Sequence, residues 1–183
     1  MKKKLLAFVL ALSCTVGAFS VATTVDQPVA AEAATKKKAP SLTKVYSAVK
    51  KAYGDDYLPD VRLKKNQIKE IFGVSDSWYT GVIAETRMIN IQAEDIVIVK
   101  AKNANTKKKI KNALSSYRKN QIDQERNYVN YEKRLASRVY VKGDYVCYIC
   151  LGTVDKTGKN EEELVAAYKE EVAKAVNAIN KLY

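Results

Sequence analysis

The segment from Asp95 to Lys100 constrains the fold more than any other part of the chain. It carries four consecutive apolar side chains, Ile96 to Val99, between two charged residues. A strand with one face in water alternates apolar and polar side chains, so an uninterrupted apolar run predicts a strand that is covered on both faces. The rest of the chain must therefore supply neighbouring elements that bury this segment.

Two further stretches predict strands. From Trp78 to Met88, alternate positions carry apolar side chains or threonine, which is the period of a strand. Residues 138–151 predict a hairpin with β-rich arms on both sides of Gly143 and Asp144. Glycine at the first turn position suits the type II′ geometry that matches the twist of paired strands. The chain thus supplies two hairpins, the first of which includes the buried strand.

Apolar residues at helical spacing predict four helices and one shorter helical segment. The helices cover residues 41–54, 66–72, 106–122 and 160–179, and the shorter segment covers residues 127–135. Asn160 can cap the last helix, and Glu161 to Glu163 meet the positive end of its dipole, so these glutamates are assigned a structural role. The order of elements predicts an α+β fold in which helices pack on an antiparallel four-stranded sheet of two hairpins.

The N-terminus is typical of a secretory signal peptide. Three lysines precede an apolar stretch at residues 5–12, and small side chains at Ala31 and Ala33 fit a signal peptidase site. We therefore predict a signal peptide over residues 1–33, a flexible basic linker over residues 34–40 and a single α+β domain over residues 41–183. The mature protein is then secreted or extracytoplasmic.

Two alternatives for the N-terminus stay open. Residues 5–25 are nearly long enough to remain as a membrane anchor, although serine and threonine dilute their apolar character. Cys14 would carry a lipid in a lipoprotein signal, and the domain would then be anchored to the outer face of the cytoplasmic membrane. The residues before it, Leu12 and Ser13, are not in the order that such signals use. Secretion is favoured over lipidation for this reason.

The charge of the chain favours anionic partners. Residues 1–33 hold three of the 32 basic and two of the 20 acidic residues, so their removal leaves a net charge of +11. Outside the cytoplasm such partners are an anionic cell-wall polymer or the headgroups of a membrane surface, and nucleic acid is not expected. The candidate contacts for an anionic ligand lie on the long helix; they are Lys107, Lys108, Lys111 and Lys119.

The position of these lysines has two readings. Positive charge near the start of a helix is unfavourable to the helix dipole, and an anionic partner would compensate that cost. Lysines at exposed helix positions are also common solubilising residues. The sequence alone leaves both readings open.

The chain has no histidine, which removes the commonest general base and the commonest zinc ligand. Its glycines are scattered singly, so no phosphate-binding loop is present. We therefore expect a non-enzymatic protein without a cofactor. The alternative is an enzyme acting on wall glycan with a carboxylate pair built from Glu85, Glu94 or Asp95. The acidic cluster at residues 55–60 is interpreted as a helix-ending turn rather than a metal site.

Cys147 and Cys150 form a Cys-x-x-Cys spacing that is found in redox proteins. The surrounding residues predict a strand, and side chains three apart on a strand point to opposite faces, so the two sulfurs cannot meet. We therefore predict two small buried side chains. The sheet also suggests a third hypothesis, in which a bare sheet face binds another exported protein.

Residues 52–59, 94–102 and 141–146 resemble the domain-of-unknown-function family 4358. Its members are small exported or lipid-anchored proteins that are typical of Gram-positive bacteria, and the similarity covers roughly residues 42–151. The resemblance implies no activity, cofactor or catalytic residue. The chain departs from the lipoprotein members because it lacks a good lipidation signal at Cys14.

Overall fold

The computed structural model describes residues 39–87 and 92–183. The predicted signal peptide, Cys14, most of the predicted linker and Met88 therefore lie outside the described residues. Within the described ranges the chain forms an α+β fold with five helices and one antiparallel sheet. None of these helices is long and apolar enough to cross a membrane.

The elements follow one another in an order close to the predicted one. The helices are α1 (Leu42–Tyr53), α2 (Lys65–Phe72), α3 (Ala104–Gln124), α4 (Tyr131–Ala136) and α5 (Glu161–Asn180). The strands are β1 (Val61–Arg62), β2 (Tyr79–Thr86), β3 (Asp95–Ala101), β4 (Arg138–Lys142) and β5 (Tyr145–Cys150). Short 3-10 turns cover Gly54–Asp56 and Asp76–Trp78.

The sheet has five strands in the order β1-β2-β3-β5-β4, so the prediction of four strands was wrong. The two predicted hairpins are present, and β3 and β5 join them as antiparallel neighbours. The additional strand is β1, which pairs with Glu85 and Thr86 at the edge of β2. A strand of two residues is too short to produce an alternating pattern, and only its partner on β2 makes it a strand.

Helices cover the sheet on both faces. On β3, Ile96 and Ile98 belong to a core shared with α1 and α5, whereas Val97 and Val99 belong to a core shared with α2 and α3. Every side chain of β5 is buried as well. The prediction that the apolar segment is covered on both faces is therefore confirmed. The hypothesis of a protein partner on a bare sheet face loses its structural basis at these two central strands.

Local sequence signals set the ends of the helices. Ser41 caps α1 because its hydroxyl accepts the N–H of Lys44 at 3.2 Å. Asn160 caps α5 in the same way, accepting the N–H of Glu163 at 3.0 Å, while Glu163 accepts the N–H of Asn160 at 2.9 Å. The structural role predicted for the start of α5 is thus confirmed at Glu163.

The two cysteines of β5 are free and buried on opposite faces of the sheet. Cys147 lies in the core shared with α1 and α5, and Cys150 lies in the core shared with α2 and α3. Burial raises the pKa of Cys147 to about 12 and that of Cys150 to about 11. The prediction of two unpaired buried side chains is confirmed.

A thiol assay in solution tests whether Cys147 and Cys150 are buried and unpaired in the native protein. In a Cys14→Ser chain we expect no reaction of Cys147 or Cys150 with a thiol reagent in the native state, because both are buried and protonated. After denaturation without reductant, both thiols should react. Fewer than two reactive thiols per denatured chain would mean that a bridge or another oxidised form exists in the native protein.

Candidate functional site

The predicted lysines lie on the long helix α3. Lys108, Lys111 and Lys119 are exposed, and because residues three and eleven apart lie on the same side of an α-helix, they share its solvent side. The opposite side of α3 buries Ile110 and Leu114 against the sheet. The helix therefore presents a basic surface to solvent.

Two of the four predicted lysines have partners within the protein. Lys107 is partly buried and donates to the backbone oxygen of Gly143 in the β4–β5 turn at 2.9 Å. Lys119 forms an exposed ion pair with Asp123 at 3.7 Å. Within the described part of the chain, Lys108 and Lys111 form no hydrogen bond or ion pair, and the first turn of α3 carries no acid. Of the four predicted lysines, these two remain free to meet an external anion.

The candidate catalytic acid Glu85 is held by three side chains. It is on β2, and its carboxylate accepts hydrogen bonds from Tyr57 at 2.5 Å, Arg62 at 2.9 Å and Tyr46 at 3.0 Å. The guanidinium of Arg62 also lies 4.7 Å from the ring centre of Tyr46. Burial raises the pKa of Tyr57 above its usual value, and the Glu85 carboxylate adds a further contribution in the same direction. Glu85 therefore joins α1, the loop after it, β1 and β2.

The other two candidate acids, Glu94 and Asp95, pair with consecutive basic residues of α4. Glu94 is 1% exposed, forms an ion pair with Lys133 and accepts the N–H of Gly152 at 3.3 Å. Asp95 forms an ion pair with Arg134 at 2.5 Å. Each pair is buried, so the four charges neutralise one another out of contact with water.

The acidic cluster at residues 55–60 lies where a helix ends. Asp55 and Asp56 are exposed in the 3-10 turn that follows α1. Within residues 39–87 and 92–183, no group of three or more cysteine, aspartate or glutamate side chains is placed to hold a metal ion. The interpretation of this cluster as a helix-ending turn is consistent with its position.

A pocket of about 470 Å³ lies beside the Glu94–Lys133 pair. Segments distant in the chain form it: the residues before β3, helix α4 and the loop before it, the loop after β5 and one side of α5. Its lining residues are Gln92, Glu94, Val129, Asn130, Lys133, Gly152, Thr153, Val154, Lys156 and Tyr168. The pocket thus combines apolar surface with several polar and charged groups, as small-ligand sites do.

Two ammonium groups lie near one aromatic ring in this pocket. The Nζ atoms of Lys133 and Lys156 are 5.7 and 6.0 Å from the ring centre of Tyr168. Burial raises the pKa of Glu94 above its usual value, although Lys133 and the N–H of Gly152 oppose that shift. The walls therefore place a buried carboxylate and two cations close to an aromatic face.

Gly152 lies beside the pocket, where the loop after β5 packs closely against α5. Its φ is 102°, a conformation that side chains rarely adopt, and a Cβ atom built there would lie 2.4 Å from Cβ of Glu171. The absence of a side chain lets the loop after β5 approach α5 and points the N–H of Gly152 at Glu94. The ion pair and the glycine thus form one structural unit.

A family model described as "Domain of unknown function (DUF4358)" matches residues 52–151, just over half of the chain. The chain belongs to the DUF4358 family. The part matched to DUF4358 runs from the end of α1 to the residue after β5, so it contains the acids Glu85, Glu94 and Asp95 with their charged partners. It ends before α5, which supplies Tyr168 to the pocket. No curated protein and no solved structure matches the chain.

Sequence reasoning identified the acids of the DUF4358 domain but not their partners. Lys133, Arg134 and Tyr57 lie in segments for which only a helical turn or a loop was predicted. One signal was available, since Glu94 and Asp95 directly precede the apolar run Ile96 to Val99, and acids at such a position need positive partners when buried. The pocket itself had no signal, because its walls come from segments far apart in the sequence.

Proposed function

We propose that this DUF4358 protein is a non-enzymatic binding module that acts outside the cytoplasm. Its partner is an anionic surface of the cell envelope, either a cell-wall polymer or lipid headgroups, and it binds the basic side of α3. The observation that carries the proposal is the exposure of Lys108 and Lys111 without an internal counter-charge in the described part of the chain. The net charge of +12 over the whole chain adds long-range attraction to any such surface.

The arrangement of acids supports binding rather than carboxylate catalysis. A glycosidase needs two carboxyl groups on either side of one substrate bond. Here Glu85 is bound by two tyrosines and an arginine, and Glu94 and Asp95 are each paired with a base. Of these three acids, Glu94 alone lines the pocket described above. Each acid therefore has a structural partner that accounts for its presence.

Binding across a salt series tests this proposal. The purified protein is mixed with anionic phospholipid vesicles, with zwitterionic vesicles or with purified cell wall, and the bound fraction is measured after sedimentation. We expect binding to one of the two anionic materials that weakens strongly as salt rises, because exposed charges are screened over about 8 Å at physiological ionic strength. The material that binds identifies the partner. Binding to neither, or binding that salt leaves unchanged, would refute the proposal.

Export is the second part of the proposal, and it rests on the sequence of residues 1–33. Mass spectrometry of the native N-terminus separates the two forms of export. A chain that starts near Ala34 is released, whereas a lipid on Cys14 means that the domain is tethered to the membrane. A native chain that keeps Met1 would contradict both of these routes and would fit the retained membrane anchor instead.

A further inference from the structure

Four side-chain oxygens in the walls of the pocket beside Glu94 each accept a hydrogen bond from the protein itself. The side-chain oxygen of Gln92 accepts from Arg87 at 2.5 Å, and that of Asn130 accepts the N–H of Ala93 at 3.1 Å. The two oxygens of Glu94 accept from Lys133 and from Gly152. Among the described residues, the NH₂ groups of Gln92 and Asn130 donate to no partner, so they remain as hydrogen-bond donors. The pocket therefore offers donors to a ligand.

Lys156 adds a positive charge at the accessible part of the pocket. It is exposed, and it donates to the backbone oxygen of Val129 at 2.7 Å, which leaves further N–H groups of the ammonium available. The opposing charge is Glu132, whose carboxylate lies 3.9 Å from Lys156 but does not line the pocket. Since Lys133 is neutralised by Glu94, Lys156 is the lining cation that can meet a ligand charge.

The apolar walls complete the description of a ligand. Val129, Val154 and Tyr168 line the same pocket as the donors, and a volume of about 470 Å³ suits a molecule of one or two rings. Hydrogen bonds to an ionised group are about twice as strong as neutral ones, so donors in such a setting favour an anion. We propose that this pocket binds a small organic anion with a carboxylate or phosphate group on an apolar body. This site is separate from the basic side of α3 and does not depend on it.

Two-dimensional NMR with defined probes tests the pocket. Benzoate and phenyl phosphate represent the two anionic groups, and benzamide is the uncharged analogue of benzoate. We expect at least one of the anions to shift the amide signals of Gly152 and Thr153 and the side-chain NH₂ of Asn130 in a saturable manner. Benzamide should bind more weakly than benzoate. The anion that binds more tightly identifies the acidic group.

Substitutions at Lys156 separate its charge from its packing. Lys156→Gln should weaken binding of the anion about fivefold to tenfold, since the side chain is 40% exposed and its charge is partly screened. Lys156→Arg keeps the charge and should retain most of the affinity. The matched control is Lys159→Gln, because Lys159 bonds to the backbone of Asp155 and does not line the pocket.

Several results would overturn the proposal. One is the absence of any saturable shift at the pocket with either anion. Another is equal affinity for benzamide and benzoate, and a third is an equal loss of affinity in the Lys156→Gln and Lys159→Gln chains. Loss of vesicle or cell-wall binding in α3 variants has no bearing on these shifts, so the two proposals fail independently.

Discussion

Replacing Lys133 with methionine is expected to lower the free energy of unfolding by about 3–5 kcal/mol. The ammonium of Lys133 neutralises Glu94, whose side chain is 1% exposed, and only the N–H of Gly152 would remain as a partner. A buried carboxylate without its counter-charge must either stay ionised in a poor solvent or bind a proton, and both cost free energy. Denaturation by urea, followed by circular dichroism, measures the loss.

The double variant Glu94→Gln/Lys133→Met is the matched control for charge. It keeps the approximate shape of both side chains and removes both charges, so it should be more stable than Lys133→Met alone by about 1–3 kcal/mol. Lys169→Met, at an exposed position of α5, should change stability by less than about 0.5 kcal/mol. If Lys133→Met lowers the free energy of unfolding no more than Lys169→Met does, the buried Glu94–Lys133 pair does not stabilise the packing of α4 against the sheet.

Replacing Gly152 with alanine is expected to cost about 2–4 kcal/mol of unfolding free energy. Two effects add: the φ of 102° is unfavourable for any side chain, and the new Cβ would lie 2.4 Å from Cβ of Glu171. Either the loop after β5 or helix α5 must then move, and the N–H of Gly152 would move away from Glu94. Urea denaturation gives the size of the effect.

Gly158 is the matched control for Gly152. Its φ is 70°, and a Cβ atom built there would meet nothing within 4 Å. Gly158→Ala therefore measures the cost of a side chain at positive φ, about 1 kcal/mol, without any overlap with a neighbour. If the two alanine substitutions are equally destabilising, the close approach between the loop and α5 does not limit the fold.

Most of the fold was predictable because its signals are local. Ser41 caps α1 and Asn160 caps α5, and each cap is a hydrogen bond between residues only three apart in the sequence. The buried strand β3 was predictable from its uninterrupted apolar run. The edge strand β1 was missed because two residues give no period, and its pairing with Glu85 and Thr86 exists only in the folded sheet.

The charged clusters were not predictable because their partners are distant in the chain. Lys133 and Arg134 lie 39 residues after the acids that they neutralise, and no spacing rule links such positions. The same holds for Glu85, whose partner Tyr46 lies 39 residues before it. The exposure of Lys108 and Lys119, by contrast, was predictable from the helical period of α3, because that period sets which side faces solvent.

The segments that resemble the DUF4358 family have structural explanations. Residues 52–59 supply Tyr57 to the Glu85 cluster, and residues 94–102 supply the two paired acids and β3. Residues 141–146 form the turn between β4 and β5 together with the adjoining ends of both strands. These segments maintain the fold. The function proposed here therefore rests on surface features, namely the basic side of α3 and the pocket beside Glu94.

The most direct test of the binding proposal compares two double variants that lose the same charge. Lys108→Gln/Lys111→Gln removes two exposed lysines of α3 that form no ion pair in the described part of the chain, and Lys44→Gln/Lys51→Gln removes two exposed lysines of α1 on the opposite face of the sheet. At about 1 kcal/mol per lysine near an anionic surface, the α3 variant should bind the anionic material about tenfold to thirtyfold more weakly than the unchanged protein. The α1 variant should bind almost normally. Equal losses in the two variants would show that net charge alone drives binding and would contradict a site on α3.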